Sequence, residues 1–338
     1  MLVGMSLRIG LVFELLERQS LRPGEPADAH VEYESEATVG ALEAAIRELG
    51  HQPLRLGAPE LLLARIGKGE LPALDAVWNI AEGRGSRNRE AWAPVLLEMA
   101  GVPCLGSDAL TLSLSLDKHW TRGLVARAGV PVPAGCVLGS AREVLEAELP
   151  ADFPLFVKPR WEGTAKGIGT QSRVEDRESL AAAVDRLAAD YAQPALVEAF
   201  LPGAEYTVTV VGNQPPRALP ALQRALESQT GIGVHALAGH APPPGGWRTR
   251  TPGRLDPELE TELAALSVCA YEALQCLDFA RADFRLDAAG RPHFLEINPL
   301  PSFAPDGSFG VLSELEGRPL EALLAEVLAA GLARMGLG

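Results

Sequence analysis

The chain has 338 residues, too many for one small core, so two or three lobes are expected. At 47% hydrophobic and 22% charged it has the composition of an ordinary soluble enzyme or binding protein. Its 44 acidic against 30 basic residues, a formal charge of −14, argue against non-specific adhesion to nucleic acid or an anionic membrane, and leave anionic ligands only to local basic clusters.

The opening segment, "MLVGMSLRIGLVFELLERQ", has a short apolar stretch broken by Arg8 and ended by Glu14, unlike a secretory leader. Leu7 to Phe13 reads as a first buried strand. "SEATVGALEAAIRELGH" follows, with Val39, Leu42, Ala45, Ile46 and Leu49 on one helical face and Gly50 as the stop. "LRLG", "LDAVWNI" and the helical "REAWAPVLLEMAG" continue an alternation that implies an open parallel sheet, whose ligands gather beyond Phe13 and beyond Trp78 to Ile80. The pattern changes near 113, the expected end of a first domain.

From 153 the texture is strand-rich: "FPLFVKP", a glycine-rich loop, "GTQSRV", a helix over 178–190, "PALVEAF" and "AEYTVTVVGN". Residues 226–254 are rich in Gly and Pro and aperiodic, as expected of a lid or a disordered segment. Leu259, Leu263, Leu266, Ala270, Leu274 and Leu277 mark a long amphipathic helix, "FARADFRL" and "RPHFLEIN" a hairpin, and 318–335 a final helix. No run approaches the roughly eighteen apolar residues of a membrane span. Cysteines at 104, 136, 269 and 276 form no CxxC pair, so neither structural zinc nor a disulfide framework is expected, and a cytoplasmic location is.

The chemistry concentrates in the hairpin. Side chains alternate along a strand, so Arg281 and Asp283 share one face, Glu296 and Asn298 another, and a short connection brings the two faces together. Two carboxylates and an amide oxygen form a hard oxygen site suited to Mg²⁺, the alternative being a surface hairpin of alternating charge. In "FPLFVKPRWEGTAKGIG", Lys158 ends a strand and Gly163, Gly167 and Gly169 let backbone N–H groups approach phosphate; the spacing is that of neither a Walker loop nor a Rossmann fingerprint. Glu198 closes a buried strand, Glu205 follows a Pro-Gly turn, and Lys118 stands in "SLDKHW"; each is ambiguous alone.

Their order is not. DK, VKP with a glycine loop, VExxLPGxEYTV, RxDF and LEINPLP, over roughly residues 75–310, resemble the ATP-grasp superfamily and within it the D-alanine–D-alanine ligase branch. The resemblance implies an α/β protein with an amino-terminal parallel-sheet domain (1–113), a small nucleotide lobe (114–200) and a large lobe (201–338, lid 226–254), with ATP between two antiparallel sheets. It implies that Lys118 and Lys158 meet phosphates, with Glu162, Gly163 and Thr164 in the phosphate loop. Glu198 and the backbone of Phe200 and Leu201 would hold adenine, and Glu205 the ribose. Asp283, Glu296 and Asn298 would hold one or two Mg²⁺, or Mn²⁺. Arg281 and a backbone N–H of the turn at Ser302 would stabilise an oxyanion. The implied reaction joins a carboxylate to an amine through an acylphosphate, on small amino-acid-like substrates, in a chain that could pair as a homodimer.

The departures concern the substrate side. Ser302 replaces the branch's glycine, Thr164 and Ala165 replace paired serines, and the lid lacks its lysine, for which His235 could substitute. Glu32, Glu34 or Glu36 could grip an ammonium, and Ser308 lies past the turn. "EGRGSRNREA" replaces a histidine-containing acidic loop with Glu82, Arg84, Arg87 and Arg89, either a binder of an extra carboxylate or phosphate or a solvated arginine loop. The expected function is a related ligase with a different substrate; the alternatives are an authentic D-alanine–D-alanine ligase, an impaired ATP-binding regulator or scaffold, and a kinase that releases the acylphosphate.

Overall fold

The expected alternation in the first third forms a parallel sheet. In the computed structural model, which describes residues 6–18, 20–21, 23–237, 246, 248–250 and 255–338, four strands run in the order β2–β1–β3–β4. They are β1 (Arg8–Val12), β2 (Gln52–Gly57), β3 (Ala76–Asn79) and β4 (Cys104–Leu105). Helix α1 (Glu36–Glu48) starts where the Ser35 hydroxyl accepts the Thr38 N–H at 3.2 Å, and its expected face, Val39, Leu42, Ala45 and Ile46, is buried. Helix α2 (Pro59–Lys68) was not anticipated: Leu61 and Leu63 face solvent, so its apolar residues make no clean stripe. Its signals are terminal, Pro59 at the first turn and Gly69 in the left-handed cap. Helix α3 (Trp92–Met99) covers the same side of the sheet as α2.

Helices α4 (Ala109–Leu116) and α5 (Lys118–Arg127) meet at Asp117, which caps the start of α5 by accepting the N–H groups of His119 and Trp120. Residue 113, the expected boundary, therefore lies inside a helix. An antiparallel sheet follows, ordered β5–β8–β6–β7, from β5 (Gly135–Leu138), β6 (Leu155–Pro159), β7 (Arg173–Val174) and β8 (Ala195–Ala199). Helices α6 (Ala141–Glu146) and α7 (Arg177–Tyr191) pack on it through Val144, Leu180, Val184 and Leu187.

A second antiparallel sheet begins at β9 (Glu205–Val211), which pairs with β10 (Arg217–Ala218) and β11 (Leu222–Arg224). The span expected to be aperiodic, 226–254, is partly ordered: β12 (Leu226–Glu227) pairs with β13 (Thr249–Arg250), and α8 (Val234–Leu237) lies between them. Residues 238–245, 247 and 251–254 of that span lie outside the described residues. Helix α9 (Pro257–Ala273) backs the sheet, completed by β14 (Phe279–Leu286) and β15 (Pro292–Asn298).

The last two helices are α10 (Ser308–Glu316), which sequence periodicity did not reveal, and α11 (Leu320–Arg334), which packs on α1 and completes the core of the parallel sheet. Trp78 of β3, Phe279 of β14 and Phe303 after β15 form an edge-to-face cluster, with Phe303 5.2 Å from Trp78 and 5.1 Å from Phe279. Such contacts contribute about 0.5–1.5 kcal/mol each beyond area burial. They tie the turn that follows the hairpin to the carboxyl end of the parallel sheet.

Candidate active site

The hairpin register settles the first question. In the antiparallel pairing of β14 with β15, Arg281 lies opposite Asn298 and Asp283 opposite Glu296, so all four project from one face. Asp283 accepts from Arg281 at 3.0 and 3.1 Å and from the Thr207 hydroxyl of β9. Glu296 pairs with Lys118 at 3.0 Å. Burial opposes ionisation of both carboxyls, but Arg281 and Lys118 outweigh it and hold both below the usual range. Asn298 Oδ1 accepts the Leu300 N–H at 2.8 Å and faces an adjoining recess. No group of three His, Cys, Asp or Glu among the described residues could hold a metal alone. Two carboxylates and an amide do fit Mg²⁺, which takes few protein oxygens and completes its shell with phosphate and water.

Between the two antiparallel sheets lies an open cleft. Lys118, Lys158, Glu162, Thr164, Glu198, Phe200, Leu201, Glu205, Arg281, Asp283, Glu296 and His235 all line it. Glu198 does not stand free there: its buried carboxylate lies 2.8 Å from Lys158 and 3.0 Å from Arg122. Glu205 lies 3.4 Å from Arg285 and 3.7 Å from His235, whose pKa burial lowers. The Phe200 ring stacks under the guanidinium groups of Arg173 and Arg285, at 4.6 and 5.1 Å.

The glycine-rich loop turns through left-handed backbone at Thr164 (φ 46°), Ala165 (φ 58°) and Gly167 (φ 72°). Its N–H groups meet carboxylates of the amino-terminal segment: Gly163 donates to Glu32 at 3.0 Å and Gly167 to Asp28 at 2.8 Å. Lys166 pairs with Glu32 at 2.6 Å and also with Glu162, whose carboxylate accepts from Gln193 at 2.8 Å. Lys118 donates to the Glu162 carbonyl.

The arginines of the basic loop pair with groups of this chain, Arg89 buried, Arg84 half-buried and Arg87 partly exposed. Arg84 pairs with Glu25, and Arg89, 3% exposed, donates to both Glu32 oxygens at 3.1 and 3.2 Å. Arg87 lies 5.0 Å from the Trp120 ring and 5.3 Å from that of Trp161, and 3.5 Å from Asp117. Of the three candidate ammonium ligands, Glu32 is taken up by Arg89 and Lys166, and Glu36 pairs with Arg55 at the surface. Glu34 is buried, and burial raises its pKa while the nearby Ser302 and Thr38 side chains lower it. Ser302 is exposed on its turn, and Ser308 is buried at the first turn of α10. Glu14, just past β1, accepts the N–H groups of Glu82 and Gly83 at 3.1 and 2.9 Å and so anchors the loop past β3. Gly83 is required there: at φ +67° a Cβ would come 2.6 Å from the Arg89 carbonyl oxygen.

Sequence reading missed Arg122, Arg224, Arg285, Asp28 and Glu90. Arg122 left a local signal, four residues past Lys118 on one helical face, and so did Arg285, two residues past Asp283 on the strand that carries Arg281. The others come from strands or loops that only the tertiary fold brings together.

A family model described as the carboxy-terminal part of D-ala D-ala ligase matches residues 124–329, more than half of the chain. The chain belongs to the D-alanine–D-alanine ligase family. A D-alanine–D-alanine ligase of Halorhodospira halophila is 34% identical over 262 residues, covering 78% of this chain and 81% of its own. Protein y4sG of Sinorhizobium fredii, described as uncharacterized, is 32% identical over 294 residues, 84% of each chain. The fold is that of the VanG D-Ala:D-Ser ligase from Enterococcus faecalis, with TM-score 0.74, 19% identity and 96% and 99% of the two chains covered. A D-alanine–D-alanine ligase from Bacillus anthracis complexed with ATP gives TM-score 0.70 at 18% identity, over 98% and 99%. This family member therefore has the ATP-grasp fold, α/β in class, as its motif order implied. No helix among its described residues is long and apolar enough to cross a membrane.

Proposed function

We propose that this family member is an ATP-dependent carboxylate–amine ligase acting on amino-acid-like substrates other than a pair of D-alanines. The observation that carries the reading is the convergence of Lys118, Lys158 and Arg281 on the face that bears Asp283 and Glu296. Lys118 and Lys158 meet the ATP phosphates, and Arg224, a half-buried cation on the cleft wall near Asp283, adds the charge that the lid lacks. Asp283, Glu296 and Asn298 hold Mg²⁺, which when bound disperses charge on the phosphates.

In the reaction, a substrate carboxylate oxygen attacks the γ-phosphorus and ADP leaves, forming an acylphosphate. The amine nitrogen then attacks the acyl carbon, inorganic phosphate leaves, and the nitrogen loses a proton to give the amide. Arg281 and a backbone N–H of the turn at Ser302 face the oxyanion of the second step. No side chain has to act as a covalent nucleophile.

A substrate change is supported by the loop past β3, where Glu82 and three internally paired arginines replace a histidine-containing loop. The 34% identical ligase favours the second reading, an authentic D-alanine–D-alanine ligase. ADP and phosphate release over a panel of D- and L-amino acids, singly and in pairs, separates the readings. Release only with a pair other than two D-alanines is expected; release with D-alanine alone as both partners selects the second reading, release with one acid means a kinase, and none means a scaffold. Sedimentation of the same preparation tests the homodimer, and cell fractionation the cytoplasmic location.

A further inference from the structure

Beside the hairpin, and sharing Lys118, Thr164 and Glu296 with the nucleotide cleft, lies a small open recess. Its position puts it at the phosphate end of that cleft. Four carboxylates line it: Glu32, Glu82, Glu90 and Glu296. Two are matched by cations of this chain, Glu32 by Arg89 and Lys166 and Glu296 by Lys118. Glu82 and Glu90 have neither an ion pair within 4.0 Å nor a side-chain hydrogen bond among the described residues. Glu90 is only 6% exposed, yet it borders the recess, so a carboxylate more than nine-tenths buried faces it without a partner.

Carboxylates buried this way cost several kcal/mol unless a cation meets them or they take up protons. The nearest guanidinium, Arg89, is already engaged by Glu32 and the Trp161 carbonyl. Burial pushes both carboxyls up: Glu82 well above the usual range, with repulsion from Glu90 and Glu32 adding to it, and Glu90 to about 7 although Arg89, Lys118 and Lys166 pull it down. The loop that carries them is held rigidly, by Glu14 on the N–H groups of Glu82 and Gly83 and by the packed guanidinium of Arg89. A fixed pair of carboxyls with no ion pair, which ionises fully only when a cation enters, beside the reacting end of a nucleotide cleft suits a cation on the substrate.

Building on the ligase reading above, we propose that Glu82 and Glu90 recognise a second positive charge on the amino acid whose carboxylate is phosphorylated, so that the preferred acid substrate is a diamino or guanidino acid. Its carboxylate lies toward Lys118 and Glu296, and its distal ammonium or guanidinium enters between Glu82 and Glu90. Glu34, which reaches the Ser302 turn, remains for the α-ammonium.

The test uses the full chain with D- and L-lysine, ornithine, diaminopropionate, arginine and alanine as the acid partner. One buried charge-assisted contact corresponds to roughly 10–100-fold in affinity. A KM for at least one dibasic acid about 10-fold or more below that of alanine is expected, with that advantage lost in Glu82→Gln/Glu90→Gln while the KM for ATP stays unchanged. Alanine used as well as every dibasic acid by the wild type, or an advantage that survives the double substitution, overturns the proposal. Calorimetry of the dibasic acids, with a non-hydrolysable ATP analogue present, gives a readout independent of turnover. Binding that is lost in the double variant, without ADP release from any pair, would remove the ligase reading and keep the pocket; an absence of binding by every dibasic acid, with turnover of other pairs, would do the reverse.

Discussion

The nucleotide cleft and the recess beside it use the same residue types under opposite rules. In the cleft, Glu198 has Lys158 and Arg122, Glu205 has Arg285, Asp283 has Arg281, and Glu296 has Lys118. In the recess, Glu82 and Glu90 have no ion pair within 4.0 Å among the described residues. The difference teaches where each ligand's charge is balanced. On the proposed ligase reading, ATP would arrive with its own metal, so carboxylates and cations can stay paired until the nucleotide enters, whereas an amino acid brings only the charges it carries and needs groups left open.

The comparison breaks most sharply if the paired carboxylates do not support the fold. Glu32 ties the amino-terminal segment to both Arg89 and the glycine-rich loop, and burial is outweighed there by Arg89 and Lys166, which hold its carboxyl at about 2. Glu32→Ala strands two buried cations and should cost about 3–5 kcal/mol of unfolding free energy in a denaturant titration. A loss below about 1 kcal/mol would mean that Glu162 alone satisfies them. For catalysis, Arg281→Ala removes the proposed oxyanion contact and should lower kcat by roughly 10²–10³-fold with a smaller change in the KM for ATP. A change confined to KM would assign Arg281 to nucleotide binding instead.

The smallest effect tests the open side. Below its ordinary value of 4.5 Glu90 is protonated whether the chain is folded or not; above that the folded state keeps a proton that the unfolded chain releases. The stability from this group is thus complete below pH about 4.5 and is lost as pH rises through about 7. Thermal unfolding should show the wild type losing more stability than Glu90→Gln between pH 5 and pH 8, and parallel curves would count against an unpaired carboxylate.

Much of the site could be read in advance because its parts are short and local. Alternation placed Arg281 and Asp283 on one face and Glu296 and Asn298 on another, but the connection alone does not set their register: beside it Arg285 pairs with His293, and a register shift between Asp283 and Phe284 brings Asp283 opposite Glu296. The glycine-rich loop needed only its own residues to turn. The sequence leaves the basic loop either a ligand binder or a solvated loop, and neither alternative contains the partners the fold supplies: Glu32, Glu25 and the rings of Trp120 and Trp161 arrive from sequence distances that no local pattern reports. Helix α2 was missed for another reason, since most of its leucines are not on its buried side.

By itself, then, the order of residues determined the strands, the first helix, the hairpin face and the succession of motifs that marks an ATP-grasp ligase, because each depends on side-chain periods of two or 3.6 residues. Which charges cancel was decided only by the tertiary structure. Ion pairing acts over a few ångströms in space, and the fold brings Glu32 to Arg89 and Lys166 while leaving Glu82 and Glu90 without an ion pair among the described residues.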